Sequence, residues 1–441
     1  MKKVELLSPA GDWETLAAAI EAGADSVYFG IKWINMRASS ARNFDISELK
    51  KIMEKLHSHH VKGCLTLNTV IYDHEIERVK KILHEAKKAK VDAIIATDLT
   101  VIQLCHEKNL EVHVSTQLSV ANYEAVKFFS QFSSRIVLAR ECTLEQIKEI
   151  KRKIIENNLN FKGKQIELET FVHGSLCVAY SGRCFMSQHH NRLSANRGQC
   201  LQECRRQYKL TDISDPRREF IVDHNYMMSP KDLCALPILD QLIDVGIDVF
   251  KIEGRAKGPD YVYVTTTAYR EALCLIEEGK FTPKKAFQLV KNLEAVFNRG
   301  FTDNFYLGTP TNNSWTTLYG SGATEQKVRV GKVTNYFPQA EIVSVRIEEN
   351  ELKEGEEACF IGPTTGYYRV KVAGLRMNNQ PVKMAGLKSE VSFKVDKKLR
   401  TSDVAYVIRR RDPEKERYTK QYESIGVHKP FKNSKNKKGI I

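Results

Sequence analysis

Cys177, Cys184, Cys200 and Cys204 fall in one short stretch with the spacing C-x6-C-x15-C-x3-C, among glycines and Arg183, Arg192, Arg197, Arg205, Arg206 and Lys209. Four thiols are the number that encloses a tetrahedral zinc ion or a cubane iron–sulfur cluster. Structural zinc sites favour two close pairs, and only Cys200 and Cys204 lie that close; the run also departs from ferredoxin spacings. The spacing therefore leaves zinc and iron–sulfur both open. Thiols holding nothing would need apolar neighbours to bury them, which this basic stretch does not offer. The first of the four follows a strand with a polar face, so the group they hold is expected beside a reaction site.

That polar face recurs. Side chains alternate across a strand, and in the candidate strand Ile166–His173 one face is Ile166, Leu168 and Val172 while the other is Glu167, Glu169, Phe171 and His173. Glu111–Gln117 sets His113, Ser115 and Gln117 against Val112 and Val114, and Gly63–Thr69 puts Cys64, Thr66 and Asn68 on one side. Ile247–Glu253 opposes Lys251 and Glu253, with Arg255 beyond, to Phe250 and Ile252. Charges inside a barrel are expensive to bury unless paired. Cross-barrel salt bridges would account for any one of them; several strands together point to a polar site where the strands end. Glu169, His173, Lys251 and Glu253 are then candidates for acid–base chemistry. Arg37, His113, Gln117, Arg140 and Arg255 are candidates for holding substrate, the cations being suited to a carboxylate-bearing small molecule.

Elements that could carry such a site are legible along the first 300 or so residues. Candidate strands are Val4–Leu7, Ser26–Gly30, Gly63–Thr69, Ala93–Ala96, Glu111–Gln117, Ile136–Ala139, Ile166–His173 and Ile247–Glu253, with amphipathic helical stretches such as WETLAAAIEAG and HEIERVKKILHEAKKAK between them. Eight strands alternating with helices predict an α/β fold, a (β/α)8 TIM-barrel-like domain over 1–310; a doubly wound open sheet is the alternative. Residues 174–232 interrupt the rhythm as a cysteine-rich insertion between the seventh and eighth strands, on the face where such barrels keep their sites. After a Gly/Ser/Thr-rich linker, alternating valine-rich runs over 325–410 predict a small antiparallel β-barrel domain. Residues 411–441, with Lys429, Lys432, Lys435, Lys437 and Lys438, read as a basic flexible tail.

The chain carries ten cysteines and a formal net charge of +14. No apolar run is long enough to cross a membrane, and MKKVELLSPAGDWE is not a signal peptide, so the expected location is cytoplasmic, where thiols stay reduced. The charge favours an anionic partner, nucleic acid first. H-E-x-x-H, G-x-S-x-G and G-x-x-x-x-G-K-[ST] signatures are missing. A Cys–His protease built on Cys177 and His173 is formally open, without a visible oxyanion hole.

The segments LSPAGDWETLAAAIEAGADSVYFG, FVHGSLCVAYSGRC, NRGQCLQECR, SPKDLCALP and GIDVFKIEGR together resemble the peptidase U32 family, from residue 3 to about residue 310, and the C-terminal β domain is similar to that family's too. Length and layout are most similar to its tRNA hydroxylation branch. That resemblance implies 5-hydroxyuridine formation at the wobble position of the tRNA anticodon loop, with a [4Fe–4S] cluster and prephenate as co-substrate. It implies Cys177, Cys184, Cys200 and Cys204 as cluster ligands, with Cys234 the rival for the last place, and a protein partner of the same family as an option. A ribosomal-RNA hydroxylase of the same family, a collagenase-like peptidase, and an RNA-binding protein with a structural metal are the alternatives.

Overall fold

Eight parallel strands close on themselves: β1 (Glu5–Ala10), β2 (Ser26–Phe29), β3 (Lys62–Leu67), β4 (Ala93–Ala96), β5 (Val112–Val114), β6 (Arg135–Val137), β7 (Glu167–Gly174) and β8 (Val249–Ile252) pair in chain order, and β8 pairs with both β7 and β1. This is the (β/α)8 barrel, seen in a computed structural model that describes residues 3–206, 208–222, 228–316, 318 and 320–411. Of the expected basic tail only Arg411 is among them; its lysines lie outside the described residues. Every candidate strand of the sequence reading corresponds to one barrel strand. The open doubly wound sheet is ruled out by the β7–β8 and β8–β1 pairings.

Local signals place the helices. Asp12 caps α1 (Trp13–Glu21) by accepting from the Thr15 backbone, with Thr15 returning the bond. Thr143 and Gln146 form the same box at α2 (Leu144–Glu156), and Pro259 opens the helix Pro259–Glu277 after β8. Their apolar faces pack on the outward side chains of the strands, in clusters containing Leu16, Ile52, Ile82, Ile147, Ile154 and Leu273. Inside the barrel the apolar filling is small: Leu7, Tyr28, Cys64, Ala93, Ile95 and Val249.

The insertion leaves β7 at Gly174 and returns through the short strand Asp232–Cys234, which runs antiparallel to the end of β7 and parallel to Phe301–Thr302. In between lie a short helix, Met186–Asn191, and a hairpin of Tyr208–Thr211 with Glu219–Val222. Gly198 seats the insertion on the loop after β2. Its φ is +81°, and a Cβ there would stand 2.0 Å from the Asn35 carbonyl oxygen, a contact only glycine permits.

Residues Glu325–Arg410 form an antiparallel eight-stranded sheet with its own core of Val330, Val345, Phe360, Phe393 and Val407. It docks on the flank of the barrel: Gly366 lies against the α1 backbone at Ala17 and Ala18, and Lys397 pairs with Glu21.

Candidate functional site at the barrel mouth

From the N-terminal end upward, the barrel interior changes from paired to unpaired charge. At the bottom Arg135 of β6 donates to Glu5 at 2.7 and 3.0 Å and to Glu167 at 2.9 Å. Opposed by burial, these bonds still hold the Glu5 carboxyl far below the ordinary carboxylate range. One layer higher, Lys251 Nζ stands 2.6 Å from Glu169 Oε1, and Arg135 lies 3.9 Å from the same carboxylate. Both partners are buried, and such a pair is worth most when neither is removed. Lys251→Met is expected to destabilise the protein by roughly 3–5 kcal/mol, read from the urea midpoint, because Glu169 is left charged with only the more distant Arg135.

At the mouth the balance reverses. Glu253 accepts from Arg37 at 2.6 and 3.0 Å and from the Tyr28 hydroxyl at 3.3 Å. Burial raises its pKa, but Arg37, Arg140 and Arg255 outweigh that and hold it at about 2. Three guanidiniums therefore face one carboxylate. Arg255, 4 % exposed, donates from one Nη to Asn35 Oδ1 and Thr66 Oγ1, each at 2.9 Å, and its Nε has no partner. Burial without a dedicated counter-ion lowers its pKa to about 10. Arg140 lies 3.8 Å over the Phe171 ring and donates to the Ser175 carbonyl oxygen. Gln117 completes the rim, accepting from Ser115 at 2.7 Å and from Asn68 at 3.4 Å.

His113 and His173 are buried but placed differently. His113 is in the barrel near Arg135 and Lys251, with Nδ1 unpartnered. His173 is not on the inner face where its spacing from Glu169 and Phe171 put it. Phe171 pairs with Lys251 and His173 with Ile252, so Val172 is an extra residue, a bulge that breaks the alternation. The imidazole instead packs among Tyr261, Tyr269 and Phe301, with ring centroids 5.5–5.8 Å away. Burial lowers its pKa to about 3 and that of His113 well below its ordinary value. Both stay neutral in the folded protein while the unfolded chain protonates near pH 6.5. Between about pH 6.5 and 4.5, stability is therefore expected to fall on acidification, by up to about 1.4 kcal/mol per pH unit for each imidazole, measured as urea midpoints across that range.

The four insertion cysteines lie above this mouth. Cys177 and Cys200 are exposed, Cys184 and Cys204 half-buried, and none is in a disulfide. They are within electrostatic reach of one another: burial pushes the Cys204 thiol up to about 11, Arg205 opposes this, and Cys177, Cys200 and Cys184 add to it. Three sulfurs accept a backbone N–H from two residues on, Cys177 from Ala179, Cys184 from Met186 and Cys200 from Gln202. Among the described residues no group of three or more His, Cys, Asp or Glu side chains is set to hold a single metal ion. Cys234 is elsewhere: buried in the return strand, its sulfur lies 3.8 Å from the Tyr269 hydroxyl. Arg140 acts on both Cys177 and Glu253, and Arg37 on both Cys200 and Glu253, so the quartet and the arginine pocket share their cations.

Sequence reasoning did not single out Tyr28, although it alternates with Ser26 on β2, nor a second cationic group around Asp232. Arg299 lies 3.3 Å from Asp232, and Lys257, held 3.1 Å from the Phe297 ring centroid, has its pKa lowered to about 7 by burial and by Arg299 and Arg205.

Residues 11–316 match the model of peptidase family U32. The chain is 43% identical over 409 residues to a protein named collagenase from Porphyromonas gingivalis, an alignment covering 92% of this chain and 98% of that one. It is 34% identical over 372 residues to a tRNA hydroxylation protein of Bacillus subtilis, covering 82% and 84%. It is also 34% identical over 310 residues to a 23S rRNA 5-hydroxycytidine synthase of Escherichia coli, covering 69% and 45%. No helix among the described residues is long and apolar enough to cross a membrane. With the family match spanning most of the barrel and its insertion, the chain belongs to peptidase family U32, which includes proteins named for RNA hydroxylation beside proteins named as collagenases.

Proposed function

We propose that this protein is an RNA pyrimidine hydroxylase acting on C5 of the wobble uridine in the tRNA anticodon loop, with a [4Fe–4S] cluster on Cys177, Cys184, Cys200 and Cys204 and prephenate or a similar dicarboxylate in the arginine pocket. The observation that carries it is the juxtaposition of a free four-thiol set with three guanidiniums sharing one carboxylate. The donor set fits a cluster. Four thiolates within reach of one another repel, which a bound cationic centre relieves, and the backbone N–H groups aimed at three sulfurs are the kind that tune such centres. Among the described residues the four sulfurs are not drawn around a single point, whereas a preformed zinc knuckle crowds its sulfurs about one ion at about 2.3 Å. The position of Cys234 against Tyr269 favours Cys204 as the fourth ligand.

Replacing C–H by C–OH needs an oxygen donor and the net removal of two electrons from the base; guanidiniums, carboxylates and free thiols supply neither, and a cluster bound to the four cysteines would supply one-electron transfer. The chain's own residues do the rest. Arg255 and Arg140 bind the carboxylates of the small molecule, and Arg37 is held by Glu253 at the edge of the same pocket. Glu253, ionised at any physiological pH, orients the cations and accepts a proton only from a strong acid. Lys251 and Glu169 hold the layer beneath, and His113 contributes a neutral imidazole. His173, neutral and enclosed by aromatic rings, is a positioning residue for β7. Its distance from a base's role also weighs against a Cys177–His173 peptidase.

The test is mass spectrometry of nucleosides from total tRNA of cells lacking this gene, complemented with wild type or Cys177→Ala. A hydroxyuridine-derived nucleoside should vanish with the gene and return with wild type alone. An unchanged tRNA profile sinks the wobble-uridine assignment and moves the same assay to ribosomal RNA; if that is unchanged too, peptide hydrolysis is the reading to pursue.

A further inference from the structure

We infer that Trp33 and Tyr72, each carrying an arginine on one ring face, are stacking platforms that grip the unpaired bases of an RNA loop at the rim of the barrel mouth; the inference rests on the RNA reading above and adds the surface that would hold the substrate.

Trp33 lies in the loop after β2 and Tyr72 in the loop after β3, and both are left in solvent, 55% and 52% exposed. The Arg78 guanidinium lies 3.8 Å from the Trp33 ring centroid and that of Arg197 4.6 Å from the Tyr72 ring. A guanidinium on one face of Trp33 leaves the other for a second flat group, whereas Tyr72 also has the nearly parallel His74 ring at 5.9 Å, a stack that a base would extend. Bases offer that group whatever their identity, and their phosphates seek the adjoining cations. Arg78 pairs with no carboxylate among the described residues, so its charge is available, whereas Arg197 is fixed by two bonds to Glu75 and one to the Val70 carbonyl. Phe185, 61% exposed, is a further exposed ring in the insertion.

Two features set these rings apart from ordinary exposed aromatics. Trp33 has φ +91°, a left-handed backbone that a bulky residue adopts only when its surroundings impose it, and such strain gathers at functional sites. Its loop is also tied to the cysteine segment: Gly198 is pressed onto Asn35 and Ala38, and Ser39 donates to the Gly198 carbonyl. Trp33, Arg197 and Cys200 are thus parts of one rigid rim, so a base stacked on the platform has a fixed relation to the quartet. A protein partner would need an apolar face to cover these rings and acidic groups for the cations; exposed, cation-backed rings, one of them already stacked with His74, fit single-stranded RNA better.

The experiment uses the full chain and a fluorescently labelled anticodon stem–loop RNA, with a blunt duplex of the same stem as comparison, read by anisotropy. Trp33→Ala and Tyr72→Ala should each weaken stem–loop binding by roughly ten-fold or more, with duplex binding unchanged and Trp33→Phe close to wild type. Wild-type affinity in both alanine variants, equal loss on the duplex, or no stem–loop binding by the parent protein overturns the inference. If the platforms behave as expected but no nucleoside is hydroxylated, the surface stands and the hydroxylase reading falls.

Discussion

Serine at any one of Cys177, Cys184, Cys200 or Cys204 is expected to leave the anaerobically purified protein without stoichiometric iron and sulfide, and to reduce the hydroxylated nucleoside to the level of cells lacking the gene. Serine at Cys234 should do neither. A thiolate is the ligand that iron–sulfur centres require, and the four insertion thiols are the ones that feel each other's charge. Cys234 packs as a small apolar residue against Tyr269, and its loss is a local packing change. Circular dichroism should be little altered in the four quartet variants, because the quartet sits on a loop segment outside the barrel core. Colourless, zinc-loaded parent protein, or iron retained after loss of Cys204 but not of Cys234, would refute the ligand assignment.

The second large effect separates activity from stability. Arg255→Met is expected to lower kcat/KM for the dicarboxylate at least about a hundred-fold, the scale of a lost charge-assisted bidentate contact of 3 kcal/mol or so, while the urea midpoint stays level or rises. The reasoning is that Arg255 is buried with Nε unpartnered and only neutral oxygens on its Nη, so the folded state already bears its desolvation. Removing a charge of that kind relieves the fold, in contrast to Lys251, whose removal strands a carboxylate. Arg255→Lys should not restore activity, because an ammonium lacks the planar fork. A variant that loses stability and keeps activity would mean that Arg255 is a structural residue and the pocket lies elsewhere.

Much of the barrel was legible because alternation and amphipathic spacing are local properties. Each candidate strand was found, and the polar inner faces of β3, β5, β7 and β8 were read from period-two patterns that the structure keeps up to Phe171, Ser115 and Glu253. The cysteine group was legible from composition, since four thiols in a basic loop have no packing reason to be there. What failed to show was anything decided by three-dimensional neighbours. The β7 bulge adds one residue without disturbing the apparent alternation, so His173 looked like a companion of Glu169. The return strand Asp232–Cys234 is three residues long and owes its form to its partners β7 and Phe301–Thr302. Trp33 drew no notice in the sequence because only its backbone angle and exposure make it unusual.

An eight-stranded barrel has an interior just wide enough for its own side chains to fill. The bulge at Val172 and His173 subtracts one of them. Above Phe171 an imidazole is turned out into the helix layer, and the next residue on β7 is Gly174, which has no side chain to put in its place. The strand that leads directly into the cysteines therefore ends without an inward side chain above Phe171, and its place is taken by the chain after β8: a Cβ on Gly174 would stand 2.4 Å from the Glu253 carbonyl oxygen and 3.0 Å from the Tyr261 hydroxyl. The shift in register thus seats the strand that leads to the cysteines against the backbone that carries Glu253.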